Sequence, residues 1–489
     1  MSTNSLKKDF ELRQSFFANR SSAIFPIYFR SKKNDLVLSW LNYWTIKNGV
    51  EARSLAVNMR VYDNLGTLIL RQKVELEEQN NTLSVRSFID QDVFEGMIEI
   101  EIISTENIKF TFPAIIGFYK TDSLYSCVHS AGRFKGADEI NSEVKTEETN
   151  WNCKFTNDCT PFFHYVNGGA SAEVKLKVNL KSKDGLTVTS VDISENMKAF
   201  GSKVFFIDEI IPNLRTNDGM FVSVECANDS VFRRMVVGNY YKSLQHMEVT
   251  HSFPKQSSTD YCPKNESGAE SFLALYNDPR LNLSARVFPT NCPGKFLVKE
   301  SNQSYQAEAL DYERNSSFLS YGFGFIDLEE QQRCKVLWLN GDTVPSRLNC
   351  NFVYRVKDAQ SLFSTDIATG AKSSVYPPKH SHWGSGVFGN GYDFALMIRN
   401  IRHNRDSSIS EGKLTVYGLG ATIETKVNIN PEASCSILMS DIIDPKLMEL
   451  HSEKEIVFTW FLNFDQPDSE TFWVSFRETD GAIVGEHGF

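Results

Sequence analysis

Along much of this 489-residue chain, apolar side chains alternate with polar ones at a period of two. Ile98, Ile100 and Ile102 alternate with Glu99 and Glu101. Val174, Leu176, Val178 and Leu180 alternate with Lys175, Lys177 and Asn179, and Phe472, Val474 and Phe476 with Trp473, Ser475 and Arg477. Successive strand residues point to opposite faces, so each run places one row in a core and the other in water. Turn clusters separate the runs: Asp63-Asn64-Leu65-Gly66, Lys183-Asp184-Gly185, Asn217-Asp218-Gly219, Asn340-Gly341-Asp342 and Thr479-Asp480-Gly481. Helical periodicity is scarce. Only the first twenty residues, where Leu6, Phe10, Phe16 and Phe17 can share a face, suggest a short leading helix. The chain reads as all-β, with antiparallel sheets in tandem β-sandwich-like units.

The plan repeats. Gly66 and Gly185, each closing a turn after a strand, lie 119 residues apart. Each unit then reaches a histidine followed by serine: His129-Ser130, His251-Ser252 and His380-Ser381, at spacings of 122 and 129 residues. A last unit ends at His487. About four units are therefore expected, at 1–136, 137–259, 260–389 and 390–489. Linkers are expected in the acid-rich stretch 132–150, in 255–268, and in the Gly-, Ser- and Pro-rich stretch 365–391.

Formal charge is −10, from 51 basic and 61 acidic residues with no basic cluster, which argues against a nucleic-acid partner. The longest apolar stretches are about ten residues, half of a membrane span, so no spanning helix is expected. The leading residues lack the apolar core of a secretory signal, and the nine cysteines are odd in number and scattered. Reduced thiols and a cytoplasmic location follow as expectations. Phosphate-loop, dinucleotide-binding, nucleophile-elbow, zinc-protease and kinase signatures are missing.

Histidine carries the most chemistry. Four of nine precede serine, at His129, His251, His380 and His451. His380 and His382 are spaced so that both face one side of an extended strand. If the unit ends gather in space, His129, His251, His380, His382 and His487 could hold a divalent transition metal. If they do not, each imidazole caps its own strand end. Cys153, Cys159 and His164 are spaced too widely for a structural zinc site and read as buried, inert groups. Trp151 and Trp383 fall in expected linkers, where flat rings could stack on a ligand. Arg133 and Lys255 each follow a unit-ending histidine by four residues and could meet an acidic ligand. The first functional reading is a non-enzymatic binding or scaffolding protein that engages carbohydrate or a protein partner. The alternatives are a metal-dependent enzyme acting on sugars through the histidine cluster, and a structural subunit of an assembly.

Overall fold

A computed structural model describes residues 19–49, 51, 55–76, 79–104, 115–129, 132–134, 146–149, 151–182, 185–212, 220–226, 231–232, 234–254, 261–263, 270–273, 280–288, 296–301, 313–314, 324–328, 333–338, 343–345, 349–359, 363–370, 380–400, 409–430, 434–465 and 469–489. The expected leading helix lies outside them. The protein is all-β; the helices among the described residues are short, the longest being Tyr43–Asn48 and Pro445–Leu450.

The first set of strands shows the plan: β1 (Asn19–Phe29), β2 (Asn34–Leu41), β3 (Leu55–Asp63), β4 (Leu68–Val74), β5 (Asn80–Ser84), β6 (Phe94–Ser104), β7 (Ile116–Thr121) and β8 (Leu124–His129). They pair in the orders β1-β6-β3-β4 and β5-β2-β7-β8, all antiparallel. Phe25, Ile27, Val57, Met59, Ile98 and Ile100 from one sheet meet Leu36, Leu38 and Trp40 from the other, which makes the pair a sandwich.

The same order, first-sixth-third-fourth and fifth-second-seventh-eighth, recurs in the sets spanning 146–251, 270–370 and 381–487. In the second set a short extra strand, Phe253–Pro254, pairs with the first. Cores of the second and fourth sets again draw on both sheets. Leu176, Val178 and Val224 meet Phe163 and Val237 in one; Leu414, Phe458 and Trp460 meet Phe394 and Trp473 in the other.

The Gly-rich part of the expected 365–391 linker is largely a strand. Ser381–Phe388 is buried throughout and pairs with Ile456–Phe464 of the last set. Its glycines make room for rings: a Cβ on Gly384 would lie 2.7 Å from the Trp460 ring, and one on Gly386 2.5 Å from the Phe394 ring. Glycine here serves packing, which composition alone reads as flexibility.

Each set's eighth, closing strand lies buried against its neighbours. These strands are β8, His246–His251, Thr365–Gly370 and Ala482–His487. Ser126 Oγ donates to Met247 O, linking the first set to the second. Ser364, just before the third closing strand, donates to Glu248 at 2.9 Å, linking second to third. Thr365 Oγ1 donates to Gly485 O at 3.2 Å, linking third to fourth. Cys127 Sγ contacts the same carbonyl at 3.3 Å, linking fourth back to first. The four sandwiches thus close into a ring, with their eighth strands around its axis.

Candidate metal centre

Three closing strands end on histidine at one end of that axis. The ring centroid of His129 lies 4.6 Å from that of His251 and 4.8 Å from that of His487. One ligating nitrogen from each imidazole falls within 4.8 Å of the others. His129 and His251 are buried and His487 is partly so. The convergence follows from register. His129 and His251 pair with the first residues of their neighbouring strands, Ile116 and Val236, and His487 pairs with Phe472, so the strand ends coincide once the ring closes. The third closing strand ends instead on Gly370, opposite Asn349. His380, expected to end the third unit, therefore lies ten residues beyond the equivalent position.

Each imidazole meets an oxygen acceptor at Nδ1. His251 Nδ1 contacts Ser252 O at 2.8 Å, and His487 Nδ1 contacts Gly488 O at 3.1 Å. His129 Nδ1 meets Glu486 Oε2 at 3.1 Å. The carbonyl acceptors place a proton on Nδ1 of His251 and His487, and His487 Nε2 lies 3.8 Å from Glu486 Oε1. Arg234 Nη1 donates to the lone pair of His129 at 3.2 Å. The strand end below His251 is itself fixed, because Ser252 Oγ donates to Glu148 at 2.5 Å and accepts from Met235 N at 2.9 Å. Burial holds the His251 pKa well below the ordinary imidazole value, and the positive charge of Arg234 adds to the effect. Burial pushes the Glu486 carboxyl upward, against the pull of His487.

The remaining residues singled out from sequence lie elsewhere. His380 is exposed, and His382 is buried with Nε2 at 2.9 Å from Ser469 Oγ. Trp151 is wholly buried in the core of the second set rather than in a linker. Trp383 is also a core residue, with its ring stacked on Tyr43 at 5.7 Å and packed on Phe489 at 5.4 Å. Phe489 in turn touches the rings of His129 and His487. Arg133 is buried in the short strand Arg133–Phe134, where Nη1 reaches Phe134 O at 3.4 Å. Lys255 lies outside the described residues. Cys153 and Cys159 are free thiols, both pushed up to about 12 by burial, and burial holds His164 down to about 3. None of the three joins the cluster at the axis.

Sequence reasoning missed Arg234 and Glu486. Glu486 directly precedes a nominated histidine and could have been found. Arg234 sits between two strands with no pattern to mark it. A second polar cluster, between the second and third sets, was missed as well. Glu248 accepts from Lys154 at 2.7 Å and from Asn239 at 3.1 Å, besides Ser364. Burial, with the nearby Glu248 charge, pushes Asp366 up to about 7.

No known protein family and no curated protein matches the chain. Among solved structures it is similar to a Bacteroides uniformis β-glucuronidase, at 9% identity and a TM-score of 0.12, over 52% of this chain and 28% of that one. A calcium-binding mutant of Bacteroides uniformis β-glucuronidase 2 gives 9% and 0.12, over 53% and 27%. The chain thus spans little more than a quarter of the length of either, and a likeness of that size carries no inference about function.

Proposed function

We propose that this chain is a non-enzymatic binding or scaffolding protein, with four sandwich domains spanning 19–134, 146–254, 261–370 and 381–489. The closed ring carries this reading. It holds the domains in fixed relation and leaves apolar side chains on the third-fourth strand hairpins of the first two exposed. Those hairpins bear exposed apolar side chains: Leu65, Leu68 and Ile69 in the first domain, Leu186 and Val188 in the second. β4 is an edge strand, and so is its counterpart Thr187–Met197. An exposed edge with apolar side chains suits a protein partner, and we favour a protein over a carbohydrate on that ground. Capture of a partner by the intact protein, reduced by Leu68→Lys and Val188→Lys at unchanged thermal stability, is the expected result. Robust turnover of a sugar substrate, with no partner captured, would overturn the reading.

The alternative, a metal-dependent enzyme acting on sugars, gains support from the convergence of three histidines. Their burial weighs against it, since His251 is 1% exposed and a substrate must reach the metal. Metal-dependent hydrolysis of a glycoside panel, abolished by His251→Asn, would favour it.

A further inference from the structure

We propose that His129, His251 and His487 bind one divalent transition-metal ion through their Nε2 atoms and so pin the first, second and fourth domains together at the axis. Three observations carry this. The imidazoles come from three separate domains yet meet at one point. Each is held at Nδ1 by an oxygen acceptor, which orients the ring. The spacing also suits an ion. One ring nitrogen, Nδ1 or Nε2, of each imidazole lies within 4.8 Å of those of the others, so the three share a point no more than about 2.8 Å from each, against the roughly 2.0–2.1 Å of a zinc–nitrogen bond. Ring rotations of under about 1 Å close that gap.

Imidazole nitrogens select the zinc, cobalt, nickel and copper class over magnesium or calcium, which take oxygen ligands. Three protein ligands leave a fourth position for water or a small anion. Glu486 holds His129 from behind, as a carboxylate does for a metal-bound imidazole. Arg234 competes, because it donates to the same nitrogen of His129 that the metal would take. The ion must displace that bond. The proposal uses none of the exposed hairpin residues, so it stands or falls separately from the binding or scaffolding reading.

The test uses the full chain, stripped with chelator and reloaded with zinc or cobalt(II). Elemental analysis after gel filtration is expected to give one ion per chain, and the melting temperature to rise with zinc. Cobalt(II) is expected to show the visible absorption of a nitrogen-rich site of low coordination number. His251→Asn and His487→Asn should each weaken binding by more than about 100-fold, and Glu486→Gln by about 10–100-fold, the range for a lost outer partner. Arg234→Met should tighten binding, and His380→Asn should leave it unchanged. Should the histidine variants fail to fold, proton NMR of the wild-type cobalt(II) protein still decides, with three shifted imidazole N–H resonances expected. Fewer than one ion retained per chain, absence of those resonances, or variants that bind as wild type would each overturn the proposal.

Discussion

Arg60 shows how single residues set the limits of pattern reading. Glu99 and Glu101, which alternation assigns to water, are 1% and 3% exposed. Arg60 reaches across from β3 and donates to both, at 2.8 Å each. Removing one partner of a buried ion pair strands the other's charge, so Arg60→Ala is expected to cost about 3 kcal/mol. Urea unfolding checks this, and Arg60→Lys should recover part of the loss. A second expectation concerns acid. Burial holds His164 down to about 3 and His246 to about 4, against about 6.5 in an unfolded chain. The unfolded state therefore binds more protons below about pH 6.5. Stability contributed by these neutral imidazoles is complete above that value and is lost as pH falls toward their folded values. Each adds a slope of up to about 1.4 kcal/mol per pH unit. Asp366, raised to about 7, works in the opposite sense between its unfolded value near 3.9 and its folded one. His164→Leu should flatten the stability–pH curve between about pH 6 and 4 by close to one proton's slope, measured by urea unfolding across that range. An unchanged slope would mean that His164 is already protonated in the fold.

Among the elements, strand existence and type were legible because a period of two is a local property. In the strand Ala172–Lys181, Val174, Leu176 and Val178 are buried and Lys175 and Lys177 exposed as read, whereas Asn179, assigned to water, is buried. The reading failed where neighbours cover both faces. In Ser469–Arg477, Trp473 fills the core of its own sandwich, while Phe472 packs on Phe352 of the third domain, with centroids 5.0 Å apart. Ser381–Phe388 failed for the converse reason, since its small residues are dictated by rings three-dimensionally opposite them. Gly386→Ala is expected to destabilise by about 1–3 kcal/mol, because a Cβ there would overlap the buried Phe394 and Phe458 rings. Thermal unfolding reads this directly; a variant as stable as wild type would show that those rings relax. Gly66 marks a second kind of constraint. Its φ is +81°, and a Cβ there would sit 1.9 Å from Ala199 O, so the turn of the first domain fits the second only with glycine.

At the scale of the whole molecule, closure of the ring governs stability. The fourth domain covers Ile116, Phe118 and Cys127 of the first, and Ser39 Oγ meets Ser385 Oγ at 2.9 Å in a buried contact. Removing residues 381–489 would expose these groups together, so the shortened chain is expected to aggregate or to melt well below the intact protein. Light scattering and calorimetry check this. The intact chain should unfold in fewer transitions than its four domains, since interfaces couple neighbouring units.

The sequence by itself determined the all-β class, the antiparallel pairing and the fourfold recurrence, and it nominated five histidines, of which three meet. All of these depend on residues close together in the chain, or on a motif that returns at a fixed interval. Only the tertiary structure decided that the closing strands face one axis, that Gly370 rather than His380 ends the third of them, and that Trp151 and Trp383 are core residues. Convergence at the axis arises from contacts between residues more than a hundred positions apart, such as His129 with Glu486, and no local pattern encodes which surfaces a closed ring will hide.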